Sequence, residues 1–134
     1  MAGDTATTWG ETLTYKDTKV FVIGNMAIGC AGRSVSIEIF LKWRREGMPE
    51  PPPSHEKMDF TALMAHSDGR LEYWDEQFCP SLMGEPYAAS GAGMGYALAA
   101  MDAGASAEQA VAIAIKRHTN SGGEVVSVRV PASF

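Results

Sequence analysis

Three glycines spaced two apart, Gly91, Gly93 and Gly95, stand inside the stretch "ASGAGMGYALAAMDAGASAEQAVAIAIKRHTNSGGEVVSV", residues Ala89 to Val128. Glycines in such a pattern can cradle a phosphate, expose a nucleophilic serine, or let a strand turn tightly into a helix. The phosphate reading fails on spacing. A dinucleotide fingerprint needs G-x-G-x-x-G, and Tyr96 follows Gly93-Met94-Gly95; a Walker loop needs Gly-Lys-Ser/Thr, which is absent. The nucleophile elbow G-x-S-x-G fails as well, since Ala88 and Ala89 precede Ser90. A serine triad further needs a histidine base. Of the three histidines, His55 lies beside a proline run, His66 in a hairpin, and only His118 comes near a serine, Ser121, at a helix end. What remains is a packing role: a strand-to-helix junction where glycine permits unusual φ and close backbone approach.

Metal and redox chemistry are equally poorly served. Cys30 and Cys79 show no CxxC or Cys/His spacing, which argues against a zinc site or a disulfide framework; Cys30, in an apolar run, reads as a small buried filler. No cofactor motif and no metal set are expected. The chain has 134 residues with 46% hydrophobic and 20% charged side chains, which predicts a single domain, 1–134, with its own core. The net charge is −5, and the only basic cluster, Lys42, Arg44 and Arg45, fits the C-terminal end of a helix. Nucleic acid is therefore not expected as a partner, since phosphate neutralisation needs a basic face. No apolar run approaches the length of a membrane span and no signal peptide is evident, so a cytoplasmic location with no membrane partner is the expectation.

The elements that must position these residues can be read in order. "MAGDTATTWGETLTY" suggests one or two short strands turning near Gly10. Val20–Ile23 and Met26–Ala31 read as a hairpin closed by Gly24-Asn25. "SVSIEIFLKWRREG" changes to helical spacing through Val35, Ile39, Phe40 and Trp43, with Gly47 after its end. The prolines from Pro49 to Pro53 impose an extended connection. Phe60–His66 and Leu71–Trp74 form a second hairpin about Asp68-Gly69. Cys79 to Ser90 is less regular and holds at most a short strand. Two helices follow, Gly93–Ala103 and Ala107–His118, the second opened by the capping box Ser106–Gln109 and carrying a narrow small-residue face at Ala107, Ala110, Val111, Ala114 and Ile115. "GGEVVSVRV" closes the chain as a strand. With no βαβ alternation, helices layered on antiparallel sheet are expected, an α+β architecture.

Taken together these blocks resemble the proteasome β-subunit and HslV branch of the N-terminal-nucleophile (Ntn) hydrolases. "MAGDTATTWGETL" is similar to that family's second strand, with Asp4 at its acidic position. "TKVFVIGNMAIGCAGRSVSIEIF" is similar to its lysine-bearing segment, Gly-x-x-Gly strand and first helix. "ASGAGMGYALAAMDAGASAEQAV" resembles its Gly-Ser-Gly junction and two helices, and "RHTNSGGEVVSV" its Ser-Gly-Gly strand entry. The resemblance spans nearly the whole chain and rests on the order and spacing of the blocks.

It implies an αββα sandwich of two antiparallel sheets between helix layers, pared down because the proline run stands where a second long helix would be. It implies roles by position. Lys19 would lower the nucleophile's pKa, with Asp4 holding it. The backbone of Gly29, Cys30 and Gly32 would bind substrate and oxyanion. Ser90 and Ser121 would bond the catalytic amine, and His118 replaces the family's aspartate beside them. It implies a threonine peptidase acting on peptide or protein, assembled as a ring-like homo-oligomer, with Phe40, Trp43, Tyr96 and Met101 as interface anchors and room for an ATPase partner. The family's nucleophile is an N-terminal threonine on a preceding strand. As written, the chain begins with Met1 and is expected to be inactive. Two readings follow: a peptidase whose threonine is exposed in a form of the chain longer than the one written, or a catalytically dead assembly protein that keeps the fold.

Overall fold

The computed structural model describes residues 1–3, 7–9, 12–14, 19–54, 57–118 and 126–127. Two hairpins build its centre. Strands β4 (Val20–Ile23) and β5 (Met26–Gly32) pair antiparallel, Ile23 opposite Met26, so Gly24 and Asn25 form the two-residue turn expected of them. Strands β6 (Phe60–His66) and β7 (Leu71–Asp75) pair likewise. The Gly69 N–H donates to the His66 carbonyl at 3.0 Å, and the Arg70 N–H to the Asp68 carboxylate at 3.0 Å. With the short β8 (Ser81–Leu82) these strands make one five-stranded antiparallel sheet in chain order, β4-β5-β6-β7-β8.

Helix α1 (Ser34–Arg45) crosses from β5 to β6 and packs on β5. Its end is a Schellman motif: the Met48 N–H donates to the Trp43 carbonyl at 2.9 Å and the Gly47 N–H to the Arg44 carbonyl at 3.2 Å. Alternation along the strands decides what lies under α1. Phe60, Ala62 and Met64 of β6 point one way, as do Ile28 and Cys30 of β5, and they meet Phe40, Leu41 and Trp43 of α1 together with Trp74 and Phe78. Phe40 sits at the middle, its ring 4.8 Å from that of Phe60 and 5.7 Å from that of Trp74. Helical spacing identified the apolar stripe of α1 but not its partner. Phe40 (0% exposed) and Trp43 (6%) are consumed by the chain's own sheet, which removes both as interface anchors.

The opposite face of the sheet carries different residues. Here β1 (Ala2–Gly3) pairs antiparallel with β9 (Val126–Ser127); β2 (Thr7–Trp9) and β3 (Thr12–Thr14) form a separate antiparallel pair. The residues of β5 on either side of Gly29 face α1, so Gly29 itself faces away; a Cβ built there would meet the Met1 sulfur, and one on Gly3 would meet Val20. Thus β1 lies over β4 and β5 on the side away from α1. Helix α3 (Ala107–Arg117) packs on β1, and α2 (Met94–Asp102) packs on α3. The order of layers is helix, sheet, sheet, helices: the α+β, αββα sandwich. The α2–α3 contact is built from Ala97, Ala100 and Ala110. The N-terminus of α3 carries both arms of the capping box: Gln109 N–H to Ser106 Oγ at 3.2 Å, and Ser106 N–H to Gln109 Oε1 at 2.9 Å.

Candidate active site

Between the large sheet and the α2–α3 pair lies a cavity of about 960 Å³. Five residues to which the family resemblance assigns roles, from distant parts of the chain, line it: Lys19, Gly29, Cys30, Gly32 and Ser90. Lys19 precedes β4, and its carbonyl accepts the Cys30 N–H at 2.8 Å, which binds the lysine's backbone to the middle of β5. Cys30 contributes main chain only. Its side chain belongs to the core under α1, where burial and the nearby Glu38 push the thiol up to about 12, so it is neutral at physiological pH and no nucleophile.

Gly32 ends β5 at φ +120°, and a Cβ there would lie 2.5 Å from the Asp59 carbonyl oxygen. No other residue fits that turn. On the far wall Ser90 precedes the junction whose purpose the glycine spacing left open. Gly91 stands at φ +96°, and a Cβ on it would come within 3.3 Å of the Ala31 Cβ. Gly91 therefore serves close packing of the α2 entry onto β5, whereas a Cβ on Gly95 would meet nothing within 4 Å. The Ser90 hydroxyl is hydrogen-bonded to the Thr61 hydroxyl at 2.5 Å. Sequence reasoning does not single out Thr61; strand alternation is the available signal, since Phe60 and Ala62 face the core and Thr61 must face the other side of the sheet, where Ser90 lies.

The remaining walls are mainly apolar, from Leu63, Leu71, Met101 and Val111, with Tyr87 at one side donating to the Asp102 carboxylate, a bond that raises the phenol's pKa. Met1 also reaches the cavity and lies against Gly29. His118 does not line it: it caps the C-terminus of α3 with its ring 6.0 Å from that of Tyr96. Asp4 and Ser121 lie outside the described residues. Among the described residues no three histidine, cysteine or acidic side chains converge as a metal site would require, and no helix is long and apolar enough to cross a membrane.

A sandwich with helices outside two antiparallel sheets, and a cavity opening where a lysine, a Gly-x-x-Gly strand and a serine-glycine junction meet, has the Ntn-hydrolase type of fold. Solved structures agree. The chain is similar to eukaryotic HslV from Trypanosoma brucei with a TM-score of 0.73 and 19% identity, over 93% of this chain and 88% of that one. It is similar to Thiobacillus denitrificans BPH, solved in complex with epoxomicin, with a TM-score of 0.67 and 20% identity over the same shares. No family model matches the chain, and no curated protein matches it in sequence.

Proposed function

We propose that this chain is a proteasome- and HslV-like threonine peptidase family member that works as a homo-oligomer, with the cavity about Lys19 and Gly29 as its peptide site. The observation that carries this reading is the convergence of Lys19, Gly29, Gly32 and Ser90 on one apolar-walled cavity in a fold of this type. The chemistry is that of acyl transfer. A hydroxyl attacks a peptide carbonyl more readily when a neighbouring ammonium favours its deprotonated form, the part assigned to Lys19. Backbone N–H groups along the Gly29–Gly32 strand would receive the developing oxyanion, and the Ser90 hydroxyl, steadied by Thr61, would orient the attacking group's amine. The nucleophile is an N-terminal threonine exposed in the mature form. An ATPase partner would accord with the likeness to HslV.

The test uses protein purified from its native source, incubated with epoxomicin, the inhibitor held by the similar T. denitrificans BPH. Intact mass should show an exposed threonine and one adduct per chain, and Lys19→Ala should abolish the adduct while sedimentation still reports an oligomer. A native mass that begins at Met1 or Ala2, with no adduct, would overturn the peptidase reading.

One observation favours the second reading, an assembly protein without chemistry. The thioether of Met1 lies against Gly29 inside the cavity, so the chain itself covers this part of β5. On that reading native protein is unlabelled yet oligomeric; a strictly monomeric protein at micromolar concentration would overturn it.

A further inference from the structure

The Arg44 side chain projects from the last turn of α1 into surroundings poor in oxygen. Its guanidinium lies over the Trp74 ring, 5.4 Å from the centroid. The acceptors it meets are sulfurs: Nη1 contacts Met48 Sδ, and Nη2 lies 3.4 Å from Met26 Sδ. Among the described residues its Nε is buried with no acceptor, and the Trp74 indole N–H beside it is in the same condition. Glu72, whose charge reaches Arg44, is bonded to His66. A guanidinium presents five donors, and a thioether is a weak acceptor. Buried donors without acceptors are uncommon.

Met48 is the partner that can change. It follows Gly47 in the Schellman turn, at φ +59°, and it is 41% exposed. The residue is thus open to solvent while the guanidinium contacts its sulfur. We propose that Met48 is an oxidation site whose sulfoxide is held in place by Arg44. A hydroperoxide supplies the oxygen: the sulfur lone pair attacks one peroxide oxygen, the O–O bond breaks, and the S–O bond forms. The transferred hydroxyl gives its proton to the leaving oxygen, which departs as water or alcohol. Sulfur loses two electrons and the peroxide gains them. Sulfoxidation ordinarily disrupts packing by making an apolar side chain polar. Here it converts a weak acceptor of the guanidinium into a strong, charge-assisted one and ties the end of α1 to the chain that leaves it.

Met94, 45% exposed on α2, is an internal control of matched accessibility. Limited hydrogen peroxide should oxidise both residues, read by peptide mass. Glutamine, whose amide oxygen stands where the sulfoxide oxygen would, separates the acceptor effect from oxidation. Met48→Gln should raise Tm by about 3–5 °C, the shift expected of one charge-assisted hydrogen bond in a domain of this size. Met94→Gln should not raise it, and the gain at Met48 should vanish in an Arg44→Ala background. The proposal is overturned if Met48→Gln melts at or below the parent, if the gain persists without the guanidinium, or if Met48 stays a thioether while Met94 is oxidised. The Met48 and Met94 variants leave Arg44 in place, so they decide the matter even if Arg44→Ala fails to fold.

Discussion

The two faces of the large sheet are built from different alphabets. Under α1 the contact is aromatic: Phe40, Trp43, Phe60, Trp74 and Phe78 interlock, with Trp43 and Phe78 edge to face at 5.1 Å. Between α2 and α3 the contact is alanine on alanine, and on the side of the large sheet away from α1 strand β5 carries Ala27, Gly29 and Ala31. Large side chains fill space and supply most of the burial energy. Small ones let backbones approach and leave room beside them. The cavity lies on the small-residue side, so stability is concentrated on one face and the site on the other.

That division can be tested from its strong side first. Phe40→Ala should lower unfolding stability by about 3–5 kcal/mol in urea denaturation, because it removes the ring around which the other aromatics pack. A loss under about 1 kcal/mol would show that the aromatic face is not where stability is held. Ala110→Leu should cost about 1–3 kcal/mol by overpacking the α2–α3 seam, where Ala110 is 1% exposed. Hydrogen exchange should then quicken in α2 and α3 while β5 and β6 keep their protection; uniform quickening would mean that the two faces form a single unit.

The smallest effect near neutrality belongs to Cys30. Its folded thiol is raised from an ordinary 9.0 to about 12, above the unfolded value, so its contribution to stability is fully present below pH 9 and is lost as pH climbs toward 12. Urea midpoints should be level across neutral pH and fall in that alkaline window, with Cys30→Ala flattening the fall. At pH 8 a thiol reagent should modify only the exposed Cys79 until denaturant is added. Rapid double labelling of native protein would contradict the packing described for β5.

Much of this arrangement is legible in the sequence wherever the cause is local. Gly24-Asn25 and Asp68-Gly69 announce their turns, Ser106 and Gln109 announce a helix start, and the prolines after Met48 announce a break. Lys19, Gly29, Gly32 and Ser90 take their assigned roles from the family resemblance, which rests on the order of whole blocks, and all four line one cavity. What could not be read is whatever depends on which surfaces meet. The stripe through Phe40 and Trp43 is the same stripe whether it faces a sheet or a partner. Thr61 is one unremarkable residue in an alternating strand until β6 is set beside the α2 junction, and Met1 gains its neighbour Gly29 only when β1 is laid across β5.

The pairing of β1 with β9 bears on the order in which the chain can fold. The five strands of the large sheet follow one another along the sequence, so each pairing closes a modest loop. The contact between Gly3 and Val126 must close nearly the entire chain, and loop closure over such a span is slow to be rewarded. The meander and its aromatic filling can therefore assemble early, with the terminal strands docking late. Refolding followed by Trp fluorescence should run ahead of any signal from the cavity, and for that interval the molecule would hold a consolidated nucleus beside an unfinished site.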